Sequence, residues 1–433
     1  MGQFRQVVMS NGTFNNNLVS KKKQAPGNGT PFGMNGNPIG YKSKAFCLFF
    51  IFLFLVSCTK IDYHEVENPA YLRVFNNLNY EVNLGDKGLL VPYLTMLIDP
   101  EFDQNGIPVK AAIVGDFLDK RARYAAPYPT HSAGSTKRNN PEYPGKENVL
   151  VGPIINGFDL SSWAQIPSGS HRIVFYFRPV NDIPFFQLSD DLKKNIAAEG
   201  NYDLKDREIY TLHVVQKDFK TKENGLLLRQ ENFHKLPFSD SSVYLNFYNM
   251  SAKGFSTSED RKPNGMITLT DGIKDEMNVY LSLYPQETTT YTVETALPGY
   301  HARFLQPLYR DTEEATVSDY FSFPLFADST KTITTNMVQQ VTFLAPGLTF
   351  IEMGIGGTNM PKGLCSHLSF YGLNELVQLP GRGNSARFPS MFINTHSGLN
   401  NPKSFPAVNT IEVVNGEAYL TTIQRKFDPP IYK

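Results

Sequence analysis

From about residue 66 onward, apolar and polar positions alternate in short runs punctuated by Gly, Pro, Asn and Asp. A period of two marks strands, because successive side chains of an extended chain point to opposite faces. His171–Phe177 reads His-Arg-Ile-Val-Phe-Tyr-Phe and is ended by Arg178-Pro179. Ile209–Gln216, Leu226–Gln230, Val279–Tyr284, Thr289–Glu294, Met337–Leu344, Leu348–Met353 and His367–Tyr371 share its β-branched and aromatic character. Short strands at this density, bounded by turn formers, predict an all-β sandwich.

Two Asn-Gly pairs sharpen the prediction. Asn415-Gly416 separates Thr410–Val414 from Glu417–Ile423. A type I′ turn needs positive φ at both central residues, which Asn and Gly tolerate best, so a hairpin is expected there. Asn105-Gly106 is expected to join Tyr93–Ile98 to Val109–Val114 through a longer loop. One short helix is predicted over Asp190–Glu199, with Ser189 as N-cap, Asp190 and Asp191 complementing the dipole, and Gly200 at C′.

An apolar run from Ala45 to Val56 carries no charge and follows Lys42 and Lys44. It is too short to span a bilayer, which takes roughly 20 residues, but it has the length of a signal-peptide core. It ends in Leu55-Val56-Ser57-Cys58, which resembles the bacterial lipobox. That resemblance implies removal of the peptide before Cys58, acylation of the cysteine, and a membrane partner through the lipid. Two or more acyl chains give stable attachment, at about 0.8 kcal/mol per buried CH₂. Residues 1–33 are rich in Asn and Gly and read as a non-native or disordered leader, with the signal peptide over 34–57 beginning at Met34. Residues 58–65 read as a tether.

The chain after residue 57 is long enough for two domains. A short internal repeat supports that division: Ala70-Tyr-Leu-Arg-Val-Phe-Asn-Asn-Leu78 aligns with Val243-Tyr-Leu-Asn-Phe-Tyr-Asn-Met-Ser251. Domains over 66–237 and 238–433 follow from it. The opening strand ending in Phe-Asn or Tyr-Asn, with Ile209–Val215 and Leu226–Arg229 as a closing hairpin, resembles the 4397 family of domains of unknown function. The resemblance implies two tandem immunoglobulin-like β-sandwich domains on an exported lipoprotein of Bacteroidota, in the outer membrane. It carries no catalytic residues. Residues 115–148 and 296–330 read as long insertions relative to it.

The whole chain has net charge zero, yet its first 57 residues hold six Lys or Arg and no acid. The exported part therefore carries 35 basic against 41 acidic residues. That balance lacks the basic footprint of a nucleic-acid partner. After acylation of Cys58, Cys365 stands alone, so no intramolecular disulfide forms, and a buried thiol is expected.

No His-Glu-x-x-His, Gly-x-Ser-x-Gly, Walker A loop or Cys-x-x-Cys occurs. No catalytic residue, metal ligand set or cofactor is predicted, and the chain reads as no enzyme. Gly354-Ile-Gly356-Gly357 reads as a tight turn. Asp99-Pro-Glu101-Phe-Asp103-Gln-Asn105-Gly106 offers several oxygens, as Ca²⁺ requires, but breaks the EF-hand spacing and reads as a turn. The loop aromatics Tyr124, Tyr128, Tyr143 and Trp163 are the candidates for facing a glycan or protein ligand. The expected function is a non-catalytic cell-envelope binding or structural module. The alternatives are a glycan-binding companion of an outer-membrane uptake system and a hydrolase with carboxylates distant in sequence.

Overall fold

The computed structural model describes residues 66–78, 80, 93–121, 128–129, 149–179, 181, 183–259, 269, 273–285, 294–313, 317–330, 335, 338–348, 364–371, 384–389, 391 and 405–426. Cys58, the lipobox, the predicted strand Leu348–Met353 beyond Leu348, the Gly354–Gly357 turn and Thr289–Val293 lie outside them.

The described residues are all-β. In the first half the strands are β1 (Pro69–Asn76), β2 (Tyr93–Phe102), β3 (Pro108–Leu118), the short ribbon β4 (Ile154–Ile155) and β5 (Phe158–Asp159), β6 (Ala164–Pro167), β7 (Gly169–Arg178), β8 (Ile196–Leu204), β9 (Ile209–Gln216) and β10 (Asn224–Glu231). In the second they are β11 (Ser242–Asn249), β12 (Glu276–Tyr284), β13 (Arg303–Tyr309), β14 (Phe321–Pro324), β15 (Val338–Leu344), β16 (Cys365–Tyr371), β17 (Asn384–Pro389), β18 (Ala407–Val414) and β19 (Glu417–Gln424).

Each half makes two sheets on one plan. The orders β10-β9-β1-β6 and β3-β2-β7-β8 are repeated as β19-β18-β11-β14 and β13-β12-β15-β16, the last extended by β17. Even the unusual pairing recurs: β1 runs parallel to β9, and β11 runs parallel to β18. The two repeated segments are the opening strands β1 and β11. The recurring Asn has a physical reason. Asn76 Oδ1 accepts from Leu78 N and Asn249 Oδ1 accepts from Ser251 N, both at 3.2 Å, turning the chain as the strand ends.

One apolar cluster joins both sheets of the first half through Leu72, Val74, Leu94, Met96, Phe175 and Leu212. A second joins both sheets of the other half through Val243, Phe247, Val279, Leu281, Phe343 and Ile411. The Asn415-Gly416 hairpin forms as expected, with φ of 46° and 79° at the two turn residues. The Asn105-Gly106 connection likewise joins antiparallel strands.

Three expectations are corrected. The predicted helix is absent: Leu192–Lys194 makes a single 3₁₀ turn, and Ile196–Leu204 is a strand. Its Ala-Ala-Glu has helical propensity, but β7 has an edge to fill, and pairing along Gly169–Tyr176 prevails over that weak local preference. Gly200 lies within this strand rather than at a helix end. Residues 296–330 are no insertion, since they hold β13 and β14, the counterparts of β3 and β6. Pro307 disguises β13, and Pro is tolerated there because the strand is a sheet edge. Gly115–Leu118, placed in the other predicted insertion, complete β3.

Candidate functional site

Strands β9 and β18 are buried at every position, although their sequences alternate. The reason is that the β10-β9-β1 and β11-β18-β19 layers pack against each other by their outer faces. Tyr71, Trp163, Ile209 and Phe233 of the first half share a cluster with Phe238 and Val408, and Val215 and Leu227 meet Met250, Val414 and Tyr419. Between these two apolar patches the outward polar side chains are trapped.

The trapped groups converge on Glu412 of β18, which is fully buried. Arg121 Nη1 donates to its Oε2 at 2.5 Å, and Arg229 Nη2 donates to its Oε1 at 2.6 Å. His213 Nε2 lies 3.3 Å from the same Oε1, without the alignment of a hydrogen bond. Arg229 Nε also donates to Glu231 Oε1 at 3.1 Å, and Thr211 Oγ1 donates to that oxygen at 2.7 Å. Arg73 donates to Thr211 Oγ1 at 3.1 Å and stands 3.9 Å from Glu231.

Three guanidinium groups thus face two carboxylates, and aromatic rings take up the imbalance. Arg73 lies 4.0 Å over Trp163, Arg121 3.6 Å over Phe75 and Arg229 4.0 Å over Tyr248. Such cation–π contacts strengthen when dry. Burial opposes ionisation of Glu412, but Arg121, His213 and Arg229 outweigh it and hold the carboxyl well below the usual range. Burial pushes His213 down to about 4, so the ring is neutral near pH 7. Burial also lowers Arg73, to about 10, still charged at neutral pH.

Chemically this layer is a lock. The two carboxylates are engaged by guanidinium groups and shielded from solvent, which leaves no open face for a substrate. A second buried pair, Arg178 with Asp116, is similarly occupied: Asp116 also accepts from Thr95 Oγ1 at 2.6 Å and Phe185 N at 2.8 Å.

Among the described residues, Cys365 and His367 form another cluster with catalytic residue types. Sγ is 3.5 Å from Nε2, and Nδ1 is 2.8 Å from Thr342 Oγ1. Burial pushes the thiol up to about 12 and the imidazole down to about 4. A nucleophilic pair needs the opposite shifts, so burial works against activation of this one, and Cys365 is buried as expected.

The Asp99–Gly106 oxygens are already engaged. Asp99 meets His171 Nδ1 at 2.7 Å and accepts from Arg172 N at 2.9 Å, while Glu101 pairs with Lys110 at 3.0 Å. Asp103 Oδ1 accepts from Asn105 N and Ile107 N, which builds the turn and lowers its pKa. No group of three or more potential metal ligands occurs among the described residues.

Two of the four loop aromatics are placed, and both are corrected. Tyr128 is 3% exposed: its N and O bond Val74 O and N, and a Cβ on Gly115 would meet its ring at 2.9 Å. Trp163 is 1% exposed, packed between Arg73 and Phe233. Neither ring offers a face to a ligand, because each is drawn into an apolar cluster by a neighbouring strand. Tyr124 and Tyr143 lie outside the described residues.

Sequence reasoning missed Arg73, Arg121, His213, Arg229, Glu231 and Glu412. Arg121 follows the end of β3, and the other five lie on strands where their positions look solvent-facing; the packing of one half on the other buries them.

Against this geometry, no protein-family model matches the chain, and no curated protein does either. No family is therefore assigned, the one resembled by the opening strands included. Among solved structures, it is weakly similar to two proteins provisionally assigned to cell adhesion. The Bacteroides uniformis protein is 11% identical, with 83% of this chain and 100% of that one covered and a TM-score of 0.14. The Bacteroides ovatus protein is 13% identical, with 84% and 99% covered and a TM-score of 0.15. At those scores the likeness carries no argument about this chain.

Proposed function

We propose that this chain is a non-catalytic lipoprotein of the cell envelope, anchored in the outer membrane by acylated Cys58. Its two halves, over about 66–237 and 238–433, are read as tandem immunoglobulin-like β-sandwich domains acting as a binding or structural module. The observation that carries the reading is the charged layer between the halves, where Arg73, Arg121, Arg229, Glu231 and Glu412 are buried together. A joint of that kind suits a rigid spacer or presenter held at a surface. The anchor rests on Leu55-Val56-Ser57-Cys58 behind its apolar run.

Metabolic labelling with an alkyne fatty acid tests the anchor. The wild-type chain should take up label and the Cys58→Ala chain should not; an unlabelled wild-type protein would end the proposal. Protease treatment of intact cells then assigns the face. Loss of the protein puts it outside and favours adhesion or capture, while protection favours a periplasmic structural role.

A further inference from the structure

The duplicated fold lets the residues of the joint be matched with their counterparts in the other half. Tyr71 lies opposite Ile209 and Tyr244 opposite Val408, so Ile209 corresponds to Val408, His213 to Glu412 and Val215 to Val414. Across the next strand pair, Leu227 corresponds to Tyr419 and Arg229 to Thr421. Gln165 faces Tyr71 as Ser322 faces Tyr244, which makes Trp163 and Tyr320, two residues earlier, counterparts as well.

These counterparts meet one another. Tyr71 and Tyr244, Ile209 and Val408, and Trp163 and Tyr320 share one apolar cluster. Val215 and Val414, and Leu227 and Tyr419, share the other. Between the clusters, His213 Nε2 stands 3.3 Å from Glu412 Oε1. Strand beginnings therefore meet beginnings and ends meet ends, through the same face of each sheet. That is the arrangement of a two-fold axis running along the strands, with His213 and Glu412 beside it. An interface of that symmetry is self-complementary, so in shape the face of either half fits a second copy of itself.

The charges break the symmetry. The first half supplies Arg73, Arg121, Arg229 and Glu231 to the buried layer, and the second supplies Glu412. Asn246 stands at the counterpart of Arg73, and Thr421 at that of Arg229. Asp311 matches Arg121: Arg121 N donates to Asn76 O and Asp311 N to Asn249 O, each at 2.8 Å. A first half docked on another first half would bury twice the three guanidinium groups against the Glu231 carboxylates alone. Two second halves would set one Glu412 against another with none of these guanidinium groups between them. Buried charge left without a partner strongly opposes such pairings.

We propose that this face is a docking surface whose charged layer selects the partner: a first half accepts a second half, and each half refuses its own kind. The inference goes beyond the envelope-module reading and does not depend on acylation of Cys58.

Two sets of variants of the full chain test it. Glu412→His alone should lower the melting temperature, because Arg121 and Arg229 lose their shared carboxylate. Adding His213→Glu returns a carboxylate from the other side of the axis and should restore at least half of that loss. Sedimentation equilibrium in density-matched detergent then reads the protein mass. Glu412→Leu leaves the matched strand positions of the second half uncharged, and this variant should sediment at twice the wild-type mass. Glu412→Arg breaks the same contacts but sets a cation beside the axis in each copy, and should keep the wild-type mass. No recovery in the exchanged double variant would overturn the two-fold placement. Equal masses for the Glu412→Leu and Glu412→Arg chains would overturn the selection of partner by charge.

Discussion

Replacing Glu412 by Gln should be among the most damaging single changes in the protein. The substitution keeps the shape and one acceptor, but removes the charge that two guanidinium groups share and turns an N–H toward one of them. Before it, Arg73, Arg121 and Arg229 face Glu231 and Glu412; after it, they face Glu231 alone. Breaking a buried pair by removing one partner costs about 3–5 kcal/mol, mostly because the other charge stays buried. For a chain of this size, at about 2.1 cal/mol/K of unfolding entropy per residue, that is a fall in melting temperature of roughly 4–6 °C. Thermal unfolding followed by circular dichroism at neutral pH reads the shift directly. Lys110–Glu101, a solvent-exposed pair, is the control, and Glu101→Gln should leave the curve where it was. The pH dependence gives a second reading. Glu412 is held well below the usual carboxylate range, so its contribution is present above the unfolded value, about 4.3, and is lost as pH falls through the folded one. The wild-type and Glu412→Gln curves should therefore converge in strong acid. A loss below about 1 kcal/mol, the scale of an exposed pair, would refute the reasoning and mean that water reaches the layer.

Other consequences follow from the same geometry. Burial depresses His213 and His367 to about 4, so their contribution is complete above about 6.5 and is lost as pH falls from there through about 4. Melting temperatures should decline across that window, before most carboxylates titrate; a flat curve there would contradict the burial of these rings. Gly416→Ala puts a side chain at φ 79° in the Asn415-Gly416 turn and should cost about 1–2 kcal/mol, measured by urea denaturation. Trp163 is the chain's single tryptophan and is 1% exposed. Its emission should be blue-shifted and resist acrylamide until the protein unfolds, and ready quenching in the native state would return it to the loop surface.

Much of the strand inventory was legible because it depends on local pattern. Ile209–Gln216 was bounded correctly by its alternation and its flanking polar residues, and the Asn415-Gly416 hairpin by turn chemistry alone. Failures came where a partner strand decides. Asp190–Glu199 carries helix signals, yet its end from Ile196 belongs to a strand because β7 pairs with it. Arg303–Tyr309 has a proline in its middle and is a strand because it closes an edge. The charged layer was illegible for a related reason. Arg73, Arg229 and Glu412 sit at the outward positions of well-patterned strands, and sequence cannot distinguish an outward face in water from one covered by a second copy of the same fold.

The parallel pairing of each opening strand sets an order of events. Tyr71 cannot meet Ile209, nor Val243 meet Ala407, until nearly the whole of each half has been synthesised. Contacts so remote in sequence form slowly. Glu412 lies on β18, so the lock closes only after the C-terminal hairpin has emerged. Each half built this way stays open for most of its own synthesis, with its first strand waiting for its last hairpin.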